Sequence, residues 1–268
     1  MIVRALRGGF TLIEMVTVIA ISGVVAAMVA VFLKYPMQQY TDTARRAELT
    51  DIADTALRRI GRDLRMALPN SVRVTGSCGG GNDCTLEFIP TTGGGRYRAG
   101  VDGAGAGNVL DFETADSSFE MFGTPPQMTN GTHQIVVYNL GVQNADAYSN
   151  AAENRTAYQS IAGQVVTVAA KQFPYDSPGH RFHVVTSPVK YVCDPVSGTL
   201  TRESGYGWPE ATTTGTSNVL ASKVSKCIFS YDPLTVAGRY GLVTMNLTIT
   251  DSGEAVSLYS ATHVSNQP

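Results

Sequence analysis

The chain has 268 residues, of which 43% are apolar and 16% are charged, and its formal net charge is −2. Ample apolar content and a small net charge exclude a disordered chain. They also exclude a strongly basic protein, so no nucleic acid is predicted as a partner. The length allows one or two domains of ordinary size.

The apolar residues concentrate near the N-terminus. Residues 10–33 form one apolar run in which Glu14 is the only ionisable side chain. As a helix rising about 1.5 Å per residue, the run would span roughly 36 Å, which is enough to cross a bilayer core of about 30 Å. We therefore predict a single-pass membrane segment at residues 10–33, with Arg4 and Arg7 on the cytoplasmic side and the bulk of the chain outside the membrane.

Three interpretations of this N-terminus compete: a secretory signal peptide cut near residues 25–27, an uncut anchor, and a short leader that is removed ahead of the apolar run. A carboxylate in hydrocarbon costs about 2–3 kcal/mol, so Glu14 indicates a role that an ordinary signal peptide lacks. The run is also longer than a typical signal-peptide core of roughly 7–15 residues. Gly8 and Gly9 place a flexible segment before the run, where a peptidase can bind it. These features favour the third interpretation.

The residues from Gly9 to Val16, Gly-Phe-Thr-Leu-Ile-Glu-Met-Val, resemble the type IV prepilin signature. The resemblance implies that a prepilin peptidase of the bacterial inner membrane cuts after Gly9, removes the leader at residues 1–9 and methylates the amine of Phe10. It also implies that Glu14 pairs with the Phe10 amine of a neighbouring subunit and sets the register of a filament. The alternative is a carboxylate that stays near the lipid headgroups. The implied partners are the peptidase, other minor and major pilins, and the inner-membrane assembly platform.

After the membrane segment, residues 34–69 are predicted to form an amphipathic helix with one apolar stripe, which must pack against the remaining chain. The stripe recurs at spacings of three and four: Leu49, Ile52, Ala53, Ala56, Leu57, Ile60, Leu64, Ala67 and Leu68. Pro36 is expected to kink or break the helix, and Pro69 to end it. Acidic residues interleave with the arginines of this helix, which indicates a solvated or subunit-contacting face rather than a nucleic-acid site.

Residues 70–268 are predicted to form a β-rich head. The clearest strand patterns lie at residues 134–140, 181–185, 188–193, 199–203, 242–250 and 255–264. The predicted fold class is α+β, with a long N-terminal helix, half in the membrane and half amphipathic, packed against antiparallel β-sheets in a pilin-like head. The glycine-rich residues 93–107 are expected to form a surface loop. A dinucleotide-binding loop is not expected, because the following residues 109–112 have a strand pattern and not a helical one.

The four cysteines fit an oxidising compartment outside the inner membrane. Their spacings suggest the pairs Cys78–Cys84 and Cys193–Cys227, although four cysteines allow three connectivities.

No metal site is predicted, because there is no Cys-x-x-Cys pair and the four histidines are scattered. Calcium held by Asp111, Glu113, Asp116 and Glu120 is a minor alternative. No nucleophile and base occur in a recognisable motif, so neither a catalytic residue nor a cofactor is predicted.

Residues 91–98, 181–185, 188–195 and 198–202 resemble MSHA-type pilus biogenesis proteins and are similar to J-type minor pseudopilins of type II secretion. The resemblance implies a head with two β-sheets on the helix and a place in a minor-pilin complex that primes assembly at the filament tip. The expected location is the inner membrane, with a cytoplasmic N-terminus and a periplasmic head, and then the filament. Two alternatives stay open: an adhesive tip that uses the glycine-rich loops and Trp208, and a membrane-anchored enzyme.

Overall fold

A computed structural model describes residues 9–79, 83–209, 214–236 and 239–268. Most of the leader lies outside these residues. In the described part, one helix is followed by fourteen strands. The chain divides into two units, residues 1–48 and residues 49–268. The predicted α+β class with antiparallel sheets is confirmed.

Helix α1 runs from Leu12 to Leu64. The helix continues through position 36. Pro36 was expected either to kink or to break the helix, and the expected break is therefore wrong. The helix also ends before the predicted stop at Pro69. The reason lies in the pairing of the next residues: Ala67 forms a β-bridge with Pro90, and the Leu68 N–H donates to the carbonyl oxygen of Ile89 at 2.7 Å.

In the second unit, two antiparallel sheets share one core with α1. The five-stranded sheet has the order β1-β2-β9-β10-β11. Its strands are β1 (Arg73–Gly76), β2 (Cys84–Phe88), β9 (Val189–Asp194), β10 (Thr199–Ser204) and β11 (Thr216–Ser222). The three-stranded sheet consists of β12 (Val224–Val236), β13 (Tyr240–Asp251) and β14 (Glu254–Ser265).

The predicted apolar stripe is buried in this shared core except at two positions: Ile52 is partly buried, and Leu68 is buried in a separate small core. Strand β13 contributes the alternating residues Val243, Met245, Leu247 and Ile249, all fully buried. Two sheets packed on the helix agree with the architecture that the sequence resemblance implied. The chain adds a further element to that architecture.

That element is a closed barrel with the strand order β3-β4-β7-β6-β5-β8. Its strands are β3 (Thr91–Tyr97), β4 (Asp116–Phe122), β5 (Gln134–Val137), β6 (Arg155–Ala162), β7 (Val165–Lys171) and β8 (Arg181–Val185). The barrel has its own core, in which Tyr97, Phe119, Phe173 and Phe182 are buried. It lies between β2 and β9 in the chain, and these two strands pair directly, with Phe88 opposite Val189. The barrel is therefore an insertion into a hairpin of the five-stranded sheet.

Two sequence-based expectations fail inside the barrel. Residues 93–95 are part of strand β3 and not of a loop. A side chain at Gly94 would come within 2.7 Å of the carbonyl oxygen of Phe182, and one at Gly95 within 2.9 Å of the Phe182 ring. The glycines thus allow close packing rather than loop flexibility. Conversely, residues 109–112 form no strand, although Leu110 is buried in the barrel core.

Candidate functional site

The predicted cleavage junction precedes the helix. Gly9 and Phe10 are exposed and non-helical, and Phe10 is 83% exposed. A Cβ atom built on Gly9 would meet no atom within 4 Å. An extended, uncrowded backbone at this position suits a peptidase, which must bind the chain on both sides of the bond it cuts.

Glu14 and Thr11 form a capping box at the start of α1. The Thr11 hydroxyl accepts a hydrogen bond from the Glu14 N–H at 3.3 Å, and the Glu14 carboxylate accepts from the Thr11 N–H at 3.3 Å. Each side chain thereby satisfies a backbone donor that the helix leaves unpaired at its first turn. Glu14 thus has a partner within its own chain. Sequence reasoning missed Thr11, although the spacing Thr-x-x-Glu ahead of an apolar run is the signal of this motif.

The apolar run that follows is not covered by any other described residue of the chain. Every residue from 11 to 34 is exposed, including Ile19, Val24, Met28 and Phe32. Soluble proteins rarely leave a continuous apolar surface of this size in water. The helix is long and apolar enough to cross a membrane. The arrangement suits a membrane-anchored single-pass protein.

The family model of the prokaryotic N-terminal methylation motif matches residues 4–30. No curated protein and no solved structure matches the chain. The motif supports a type IV pilin-like protein, and it implies processing by a prepilin peptidase and assembly with other pilins. It points to a structural subunit rather than an enzyme.

The cysteines lie at the core of the head, and they are far along the chain from the N-terminal segment. The structure contains the disulfides Cys78–Cys84 and Cys193–Cys227, the two pairs that the spacings suggested. Cys84 and Cys193 are fully buried and stand directly opposite each other on β2 and β9. Both bridges therefore meet in one part of the five-stranded sheet.

Three of the four residues considered for calcium, Asp111, Asp116 and Glu120, have carboxylates that accept hydrogen bonds from protein groups. The Glu113 N–H donates to Asp111 at 2.7 Å, and Arg98 donates to Glu120 at 2.6 Å. The hydrogen bond from the Thr114 hydroxyl is the main cause of the lowered pKa of Asp111. The hydrogen bond from Arg98 is the main cause of the lowered pKa of Glu120. Within the described ranges, no three His, Cys, Asp or Glu side chains come together as metal ligands.

Trp208 is a packing residue. It is 8% exposed and lies in a small core with Leu68, Ile89, Val136, Ala147, Tyr148 and Val185. The Arg155 guanidinium sits 4.2 Å from its ring centroid. The indole therefore has little free surface for a ligand, and the structure does not support its use as an adhesive contact.

The arginines of the helix mostly pair with acidic neighbours. Arg58 contacts Asp54 at 2.6 Å, and Arg59 contacts Asp63 at 3.3 Å, each one helical turn away. This pairing is typical of a solvated helix face. It supports the interpretation that these residues do not form a nucleic-acid site.

Proposed function

We propose that this protein is a minor pilin or pseudopilin, a structural subunit of a type IV pilus or a related filament. A prepilin peptidase removes residues 1–9 and methylates the amine of Phe10. The mature subunit waits in the bacterial inner membrane with its head in the periplasm. The observation that carries the proposal is a methylation motif that spans the start of an apolar helix, whose residues 11–34 are exposed in the described part of the chain.

Assembly moves the apolar helix from lipid into a bundle of other pilin helices. An unpaired carboxylate and an unpaired amine in that environment would each cost several kcal/mol, and pairing offsets both costs. Glu14 pairs with the Phe10 amine of the neighbouring subunit only at one axial register, so it selects the register. Until then, the hydrogen bonds with Thr11 give the Glu14 carboxylate a resting partner.

The subunit acts in a tip or initiation complex with other minor pilins and the inner-membrane assembly platform. Its large head supports this place. The inserted barrel, residues 91–185, enlarges the head beyond the helix and two sheets. A major subunit is packed among copies of itself along the whole filament, which restricts the size of its head. A subunit at the tip has space for such an insertion. A minor pseudopilin of type II secretion is the alternative system.

The test compares assembly of the wild type with that of Glu14→Val. We expect cleavage, methylation and head folding to be retained, and the yield of filament or tip complex to fall at least about tenfold, as the loss of a charged pair predicts. Ser22→Val is the matched control, since it also removes a polar side chain from the same helix. It should assemble normally. Equal assembly of Glu14→Val at an equal level of processed protein would refute the pairing role.

A further inference from the structure

The outer face of the barrel carries two arginines directly opposite each other. Arg96 on β3 is in register with Arg181 on β8 and, on its other side, with Phe122 on β4. Each of these residues has a strand neighbour that is buried inside the barrel. Tyr97 follows Arg96, Met121 precedes Phe122, and Phe182 follows Arg181. Because side chains alternate along a strand, Arg96, Phe122 and Arg181 share the outer face. We call these three residues the arginine face.

Arg96 and Arg181 differ from the neighbouring Arg98 in their lack of an ion pair among the described residues. Arg98, two residues after Arg96, pairs with Glu120 at 2.6 Å, and its guanidinium lies 5.0 Å from the centroid of the Phe122 ring. In the part of the chain that the structure describes, Arg96 and Arg181 have no such acidic partner. Like charges directly opposite each other on neighbouring strands destabilise a sheet. The pair therefore carries a cost that folding does not explain.

The arginine face borders a shallow depression of about 450 Å³. Its lining includes Gly93, Gly94 and Gly95. A side chain would meet Pro126 at Gly93 and Phe182 at Gly94 and Gly95. His183 lines the same depression, and its buried Nε2 has no hydrogen-bond partner. Burial lowers the pKa of His183 to about 4, so at neutral pH the ring adds a polar group and no third positive charge. Phe122 forms one side, with its ring half exposed.

We propose that the arginine face binds an acidic sugar unit of a polysaccharide, with the anionic group between Arg96 and Arg181 and one apolar face of the sugar ring on Phe122. Guanidinium groups bind carboxylate and phosphate through paired hydrogen bonds, which a single ammonium cannot form. A flat aromatic ring beside the charges provides the apolar contact.

A polysaccharide fits these features better than a nucleic acid. Single-stranded nucleic acids need a groove of many basic residues with several aromatic platforms, one for each base. The arginine face has one charged pair and one exposed ring, and the net charge of the chain is −2. A single acidic sugar unit matches that pattern.

The inference rests on the proposed function only for its location, since a filament subunit would present the barrel outside the cell. Binding itself depends on neither cleavage nor assembly. The experiment therefore uses the purified full-length chain in detergent and measures its affinity by calorimetry. The probes are tri-galacturonic acid, its methyl ester, inorganic phosphate, and a single-stranded oligonucleotide.

We expect the acid form to bind and the methyl ester to bind at least about tenfold more weakly, since esterification removes the anionic groups and their charged hydrogen bonds. Arg96→Gln, Arg181→Gln and Phe122→Leu should each weaken binding of the acid form. Arg58→Gln, on the helix, should leave it unchanged. The two barrel arginine variants should remain folded, because each removes a like-charge repulsion.

Any of several results would overturn the inference. They are an absence of binding by the acid form, equal binding of the ester, unchanged affinity in Arg181→Gln, and tighter binding of the oligonucleotide than of the sugar. Inorganic phosphate that binds as well as the trisaccharide would also overturn it, because the sugar ring would then contribute nothing. None of these results bears on processing or filament assembly, so the proposed function is tested separately.

Discussion

At the scale of single residues, one carboxylate connects the helix to the five-stranded sheet. Asp63 on α1 is 8% exposed and accepts hydrogen bonds from the Tyr191 hydroxyl at 2.7 Å and from Arg202 Nε at 3.0 Å. Burial raises the pKa of Tyr191, and the hydrogen bond to Asp63 raises it further, so the phenol stays protonated as the donor. These bonds fix the rotation of the helix on the sheet.

Asp63→Ala should lower the free energy of unfolding by about 2–3 kcal/mol. The substitution leaves a buried phenol and a partly buried guanidinium without their acceptor. Asp54→Ala is the control on the same helix, because it removes the partner of Arg58, whose side chain is 76% exposed. Exposed pairs contribute little, so its effect should stay below about 0.5 kcal/mol. Urea unfolding of the detergent-solubilised chain measures both, and equal effects would contradict the role given to Asp63.

The disulfides make a second prediction at this scale. Replacing Cys193 and Cys227 by serine should cost roughly 4 kcal/mol, against roughly 2 kcal/mol for Cys78 and Cys84, because the closed loops differ in length. The sequence separations are 34 and 6. Non-reduced peptide mapping checks the pairing. A Cys84–Cys193 link is the informative contrary result, since these residues lie opposite each other on β2 and β9.

At the scale of elements, the barrel is a closed sheet with a core separate from that of the helix. Closure leaves no free strand edges, which is an advantage for an insertion that projects from another fold. Phe119 and Phe122 lie on the same strand, β4, but on opposite faces. Phe119 is fully buried, whereas Phe122 is half exposed.

Phe119→Ala should therefore destabilise the protein by about 3–5 kcal/mol, because it opens a cavity among buried aromatic rings. Phe122→Ala, three positions along the same strand, should cost less than about 1 kcal/mol. Thermal unfolding of both variants separates the two faces. Similar losses of stability would show that the barrel is not a packed core of its own.

Local patterns predicted the elements whose partners are close in sequence. The alternation of β13 and the turn after it were recognisable because β13 and β14 form a hairpin. The barrel was not predicted, because its closure depends on distant pairings such as β3 with β8, which no local period encodes. Gly93, Gly94 and Gly95 were assigned to a loop because local sequence does not show which distant residues crowd them. Those residues are Pro126 at Gly93, Phe182 at Gly94, and Phe182 with Met121 at Gly95.

The residues proposed for cleavage, methylation and filament register could be named without the fold, and their roles stay predictions. Gly9, Phe10 and Glu14 lie in one short motif, so their positions needed no knowledge of tertiary structure. Thr11 belongs to the same stretch, and its Thr-x-x-Glu spacing with Glu14 was a sequence signal of the capping box that was overlooked. The arginine face depends on strand register and was not predictable from the sequence.

At the scale of the whole molecule, two units have opposite surfaces. In the N-terminal unit, the apolar residues are exposed. An apolar surface of this size requires a membrane or other helices around it. The second unit, residues 49–268, buries its apolar residues in the head and in the barrel. A subunit that first resides in lipid and later in a filament core needs this division.

The intact mass of the protein extracted from membranes tests most sharply whether it is a processed prepilin. We predict a mature chain of residues 10–268 with one added methyl group on the amine of Phe10. A product that retains residues 1–9 would show that the apolar helix is an ordinary anchor. A product that begins near Met28 would show that a signal peptidase removes the helix, and either result would refute processing by a prepilin peptidase.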